Sequence, residues 1–331
     1  MLASETLVDS PAMADIKVLV LARPDDPGLP ALAHLPAGTR AIVAHGADDA
    51  IPHAAEADAL LVATGRAPLL RAVWPHARRV RWIHTRPAGV DHLLFPELVE
   101  SDVPMTNSRG VFSSSLAEFA LLGLLFFLKD VRRLIRNQAA ARWEVYEPGA
   151  LRGRTVGIVG FGDIGRAVAA VVRPLGARIV GLRRSAAPDP LADEMLPTAR
   201  LLDMVTRVDD LVVATPLTPE THHLVGEAVF GALRPGAVLV NVGRGPVVDE
   251  TSLMAALDQG RLRGAALDVF EQEPLPPDHP FWRMETVLVS PHTADHTAGW
   301  EAATMPVFLE NLRRFRDREP LLNPVDKRLG Y

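Results

Sequence analysis

Apolar residues fall in short, unbroken runs separated by amphipathic or proline-rich stretches. Residues 16–22 (IKVLVLA) form a short β-branched run, apolar except for Lys17, the pattern of a buried strand. Residues 40–44, 59–63 and 80–84 repeat it, with helix-compatible segments between them. That alternation predicts a parallel sheet covered on both faces. A long helical pattern follows over 114–141, with Ser113 or Ser114 as candidate cap. A second series then places strands at 155–159, 178–182, 211–214, 238–242, 265–269 and 287–290. Six strands spaced by helices predict a complete doubly wound nucleotide-binding sheet. Residues 273–280 form a loop, because clustered prolines can complete neither helix nor ladder. A last amphipathic helix is predicted over 297–317.

The fold class is therefore α/β, and 331 residues suffice for two such domains. The apolar run at 119–128 is too short to cross a bilayer, which needs about 20 residues, so it reads as a buried helix. No membrane partner is expected. The first 15 residues carry no basic, then apolar, leader pattern. Residues 1–14 read as a loose tail, with Met13 as an alternative start. A net charge of −5 argues against a nucleic-acid partner. The absence of cysteine excludes disulfides, thiolate metal sites and thiol nucleophiles, and fits a reducing, cytoplasmic setting. Only three of the 35 basic residues are lysines, a bias that matches the alanine and proline content of a GC-rich genome.

Gly160, Gly162 and Gly165 form G-x-G-x-x-G directly after the 155–159 strand and open a helical segment over 164–175. The pattern alone is weak; in that context it is the dinucleotide fingerprint. Gly160 permits the tight turn, Gly162 the approach of a pyrophosphate, and Gly165 close helix–strand packing. The N–H groups at the helix start then face the anion.

Three later segments bring polar residues to strand ends: Asn241 to Gly245, Asp268 to Leu275, and Ser290 to Asp295. Ligands of open α/β sheets sit outside the carboxyl ends of the strands. Arg244 can hold a carboxylate or carbonyl through its planar fork. His292 suits a general acid near neutral pH, and Glu273 can hold its imidazole protonated. Taken singly, each would read as a solvated loop side chain. Beside a dinucleotide loop, the three together can reduce a 2-oxo acid. His222-His223, and His292 with His296, offer no third ligand at recognisable spacing, so no metal is expected.

The stretches VGIVGFGDIGRAVA, NVGRGPVVDETSL, GAALDVFEQEPLP and SPHTA resemble the D-isomer-specific 2-hydroxyacid dehydrogenases, a group that includes glyoxylate/hydroxypyruvate reductases. The resemblance covers nearly all of the chain after the tail. It implies a Rossmann domain (109–295) inserted into a flavodoxin-like substrate domain (1–108 with 296–331). It implies Arg244, Glu273 and His292 as the catalytic trio. Cofactor contacts would come from Asp163 and Ile164, Thr215 and Pro216, Val242 to Arg244, Asp268 and His292. The substrate carboxylate would meet Ala88, Gly89 and Val90, and the enzyme would be a homodimer. The same fold and trio also resemble phosphite dehydrogenase and the cofactor-sensing corepressors. Formate dehydrogenases carry glutamine where this chain has Glu273. The chain ends soon after its last helix, so the regulatory domain of many phosphoglycerate dehydrogenases is not expected.

Cofactor choice is readable at the second strand of the nucleotide domain. A NAD site needs an acid there for the ribose 2′-OH. This strand instead runs into Arg183-Arg184-Ser185, with no acid before Asp189. Two guanidinium groups and a hydroxyl suit a 2′-phosphate, so NADP is expected over NAD, with NAD use possible.

Overall fold

The apolar runs form twelve strands in two sheets, seen in a computed structural model that describes residues 15–331. The expected tail and the alternative start at Met13 lie outside the described residues. The first sheet contains β1 (Ile16–Leu21), β2 (Thr39–Ala44), β3 (Ala59–Val62), β4 (Trp82–Thr85) and β5 (Met105–Asn107). Its order is β2-β1-β3-β4-β5 and every ladder is parallel, the flavodoxin-like arrangement. The second contains β6 (Thr155–Val159), β7 (Arg178–Arg183), β8 (Glu194–Pro197), β9 (Asp210–Val213), β10 (Ala237–Asn241), β11 (Leu262–Leu267) and β12 (Val287–Val289). Its order, β12-β11-β10-β9-β6-β7-β8, is the Rossmann order with one further strand, again wholly parallel.

The chain divides into two compact units at Ser108/Arg109 and Trp300/Glu301, so the first unit is discontinuous. Its C-terminal piece contributes the helix Met305–Asp317. Met305, Phe308 and Leu312 of that helix cover the sheet face made by Ile16, Val18, Val20, Leu61 and Trp82. Phe308 stacks on Trp82 with ring centroids 5.8 Å apart. The other face carries a second core around Leu19, Leu60, Leu70 and Ile83. His84 lies fully buried between Trp82 and Phe308, its Nδ1 2.8 Å from the Thr106 hydroxyl. Burial, helped by Arg86, pushes its pKa down to about 3, so it is a neutral core histidine.

In the second unit, alternate residues of each strand supply opposite faces, which is why the strands read as continuous apolar runs. Val156, Ile158, Val212, Val238 and Val240 join one core; Val159, Leu211, Val213 and Leu239 join the other. The helix Ser113–Leu128 lies so close to the sheet that a Cβ on Gly123 would come 2.6 Å from Ala266 Cβ.

Several expected boundaries move. The pattern over 114–141 is two helices, Ser113–Leu128 and Val131–Ala139, broken at Asp130, whose φ of 51° is left-handed. Neither Ser113 nor Ser114 caps it. Phe112 occupies the cap and no side chain bonds the free N–H groups. The final helix starts at Met305 rather than 297, after turns. β5 and β8 have no counterpart in the expected strands. No helix among the described residues is long and apolar enough to cross a membrane.

Candidate active site

β6 leads directly into the glycine loop. Gly160 has φ 93°, and a Cβ there would sit 2.6 Å from the Ala214 carbonyl carbon. Gly160 and Phe161 N–H both donate to Leu182 O, fixing the turn against β7. A Cβ on Gly165 would strike the Gly160 carbonyl, whereas one on Gly162 would meet nothing within 4 Å. The loop is thus closed on its protein side and open at Gly162, which precedes the helix Asp163–Val172. An open backbone at a helix N-terminus fits a pyrophosphate. Asp163, first in that helix, pairs with Arg109, Nε to Oδ2 3.1 Å, and Ile164 packs into the sheet core.

The ends of β9 and β10 lie beside this loop. Val242 N–H donates to Val213 O, and a Cβ on Gly243 would come 2.7 Å from Thr215 O. Pro216 O accepts from the Thr221 hydroxyl at 2.7 Å. Asn241 shapes the next turn: its Oδ1 accepts from Gly243 N–H at 3.0 Å and its Nδ2 donates to Arg244 O at 3.1 Å. Arg244 Nη1 donates to Gly243 O at 2.9 Å. Asn241 was not singled out in the sequence, although it stands in a quoted motif.

Asp268, 1% exposed after β11, holds the loop that carries the histidine. Its Oδ1 accepts from Ser290 Oγ (2.5 Å), Thr293 N (2.9 Å) and Ala294 N (3.0 Å). Between those anchors His292 adopts φ 53°, an uncommon left-handed conformation for a non-glycine residue. Its Nδ1 lies 2.7 Å from Glu273 Oε2, while Glu273 Oε1 accepts from Phe270 N–H at 2.9 Å. The hydrogen bond to Glu273 raises the pKa of His292, against burial and the positive charge of Arg244. Burial pushes the Glu273 carboxyl up, but bonds from His292 and Phe270 N–H outweigh it and hold it below its ordinary value. The pair is therefore biased towards imidazolium and carboxylate, with Nε2 as the proton-bearing atom not engaged by Glu273.

Arg183 and Arg184, at the end of β7, differ. The Arg183 Nε donates to Ser185 O (3.1 Å) and Nη2 to Ala187 O (2.8 Å), with Asp189 3.5 Å from Nη1. Asp189 is buried and also paired with Arg166, so the first acid after β7 in the chain is held in ion pairs with two arginines. Arg184 is exposed. His223 meets Asp249 and Glu271 from distant parts of the chain, which short spacing could not reveal. Those carboxylates already have partners: Asp249 accepts from Thr251 and Ser252 N–H, and Glu271 Oε1 from Glu250 N–H at 3.2 Å, with His223 Nε2 3.0 Å away. Residues 290–300 form no helix, so His292 and His296 do not share a helical face; His296 instead stacks on Trp300.

In the first unit, Ala88, Gly89 and Val90 follow β4. None of their N–H groups donates a hydrogen bond among the described residues.

Comparison with known proteins agrees with this arrangement. Residues 121–294 match the model of the D-isomer specific 2-hydroxyacid dehydrogenase NAD binding domain. Glyoxylate/hydroxypyruvate reductase A of Arabidopsis thaliana is 37% identical over 240 residues, 72% of this chain and 75% of that protein. A D-isomer specific 2-hydroxyacid dehydrogenase from Xanthobacter autotrophicus Py2, solved with NADPH and MES, is 32% identical. It superposes with a TM-score of 0.82 over 96% of this chain and 100% of that one. The NADPH-dependent glyoxylate/hydroxypyruvate reductase of Sinorhizobium meliloti, solved with NADP and sulfate, is 28% identical, with a TM-score of 0.81 over 96% and 100% of the two chains. A Rossmann sheet with this glycine loop, a histidine–glutamate pair at its strand ends and matches of this extent lead to one assignment: the chain belongs to the D-isomer specific 2-hydroxyacid dehydrogenase family.

Proposed function

We propose that the protein reduces a small 2-oxo acid of the glyoxylate or hydroxypyruvate type to the D-2-hydroxy acid, with NADPH as preferred cofactor. The observation that carries this reading is the 2.7 Å His292–Glu273 pair, held at the strand ends of the domain that carries the glycine loop. The backbone at Gly160, Gly162 and Gly165, with Asp163 and Ile164, receives the pyrophosphate. Thr215, Pro216, Val242 and Gly243 would hold the nicotinamide half, and Asp268 would bind its amide. When bound, the cofactor supplies the hydride. His292 gives the Nε2 proton to the substrate's carbonyl oxygen, Glu273 stabilises the imidazolium beforehand, and Arg244 binds the substrate carboxylate or carbonyl. In the first unit, the N–H groups of Ala88, Gly89 and Val90 take the carboxylate. The test is oxidation of NADPH by purified protein with glyoxylate, hydroxypyruvate, pyruvate, bulkier 2-oxo acids and, in reverse, phosphite. Turnover of phosphite alone, or of nothing, rejects the reading.

Two further outcomes are expected. Glu273→Gln removes the charge that raises the pKa of His292. Reduction needs that proton, so activity fades as pH rises through the raised pKa. Losing the charge should therefore move the alkaline limb of kcat/KM to lower pH; an unmoved limb would reject the pairing.

We also propose a cytoplasmic homodimer. Trp143 is 96% and Val145 87% exposed, and Leu122, Leu134 and Ile135 are about half-exposed. Apolar surface of that kind marks an interface. Light scattering at micromolar concentration should return twice the chain mass, and Trp143→Glu should return one.

A further inference from the structure

Arg86 is an arginine that the reaction does not use, yet it is 2% exposed. Every nitrogen of its guanidinium is engaged. Nε donates to Thr304 Oγ1 (2.9 Å), Nη1 to Asp26 Oδ1 (2.5 Å) and Nη2 to Glu301 O (2.5 Å). The Asp26 side chain is equally buried, and its Oδ1 also accepts from Gly28 N–H at 2.8 Å. Gly28 fits tightly here, since a Cβ would come 2.9 Å from Arg86 Nη1. One guanidinium therefore joins the segment after β1, the end of β4 and the start of the C-terminal piece. Burying such a pair is a costly way to gain stability, and apolar residues of similar volume would often serve as well. What a planar fork with three fixed partners supplies is geometry.

That geometry is delivered to one place. Arg86 N–H donates to Val62 O, prolonging the β3–β4 ladder by one step, and Pro87 restricts the next φ. Ala88 O then accepts from Asn107 Nδ2 at 2.6 Å, and the Val90 side chain is 1% exposed. The loop is thus pinned before and within the segment whose three N–H groups make no bond among the described residues.

We propose that Arg86, with Asp26 and Thr304, is a positioning device for the substrate: it holds the 88–90 loop so that its N–H groups converge on a carboxylate. The inference rests on the assignment of that loop to the substrate. Preorganised donors bind a carboxylate without the cost of ordering the loop at each encounter. Weakening the clamp therefore acts on substrate capture, while the glycine loop, in the other unit, keeps its own cofactor contacts.

The test uses full-length Asp26→Asn, Thr304→Val and Arg86→Lys, with Gly89→Val as a probe of the loop itself. Thr304→Val removes a single bond, so it retains a folded protein even where Arg86→Lys does not; melting curves report folding for each. Folded clamp variants are expected to raise KM for the best 2-oxo acid about tenfold or more, in proportion to the charged hydrogen bonds lost. Their kcat and NADPH Kd, the latter read by fluorescence titration without substrate, should stay near wild type. If Gly89→Val raises KM but the folded clamp variants do not, the loop assignment stands and the clamp is merely structural. If Gly89→Val leaves KM unchanged, or the wild type reduces no 2-oxo acid, the loop assignment fails and the clamp proposal falls with it.

Discussion

His292→Ala is expected to lower kcat for 2-oxo acid reduction by about 10²–10⁴-fold, the usual contribution of a positioned general acid. Cofactor Kd should hardly move, because Asp268 fixes the loop through Thr293 and Ala294 backbone N–H groups rather than through the imidazole. The left-handed φ of 53° complicates an alanine variant, which strains such a backbone. His292→Asn is the proper companion, since asparagine tolerates that conformation but supplies no proton. Equal losses in both variants would place the effect on the imidazole. Near wild-type turnover in either would remove His292 from the chemistry.

The second large effect concerns the cofactor. NADPH is expected to exceed NADH in kcat/KM by about 10–100-fold, the worth of one charged hydrogen bond of roughly 1.5–3 kcal/mol. The arrangement at β7 divides the labour between two adjacent arginines. Arg183 is committed to the carbonyls of Ser185 and Ala187 and to buried Asp189, so it braces the loop. The proposed contacts to a 2′-phosphate are exposed Arg184 and Ser185, whose hydroxyl accepts from Ala187 N–H. Arg184→Ala should lower kcat/KM for NADPH while leaving NADH nearly untouched. Arg183→Ala should impair both by loosening the loop. Steady-state kinetics with each cofactor decides, and equal or better use of NADH by the wild type overturns the assignment.

The long-period features of the fold were readable because they follow from burial. Strands covered on both faces are largely apolar, so β1, β6 and β10 stand out as runs with one polar residue each, Lys17, Thr155 and Asn241. The missed strands lack that signature. β5 is the three-residue MTN, and β8 is EMLP, an edge strand with proline and glutamate. The break at Asp130 was hidden because the apolar pattern resumes after it with Leu134 and Ile135. At the site, Glu273 and His292 could be paired on paper because strand ends converge. The Arg86 clamp could not, since its partners Asp26 and Thr304 lie 60 and 218 positions away. His84 illustrates the opposite hazard: beside the 88–90 loop in sequence, it is a core residue whose ring is packed against Phe308.

The split of the first unit around the second has a consequence for biosynthesis. β1 to β5 leave the ribosome long before the helix Met305–Asp317 that covers them. The intervening unit is continuous and can finish folding first. At translation rates of about 5–20 residues per second, the nascent sheet waits on the order of ten seconds or more with Val18, Val20, Leu61 and Trp82 uncovered. Chains stalled or truncated before Glu301 would therefore present a sticky β-surface to chaperones and proteases, while their nucleotide domain could already bind cofactor.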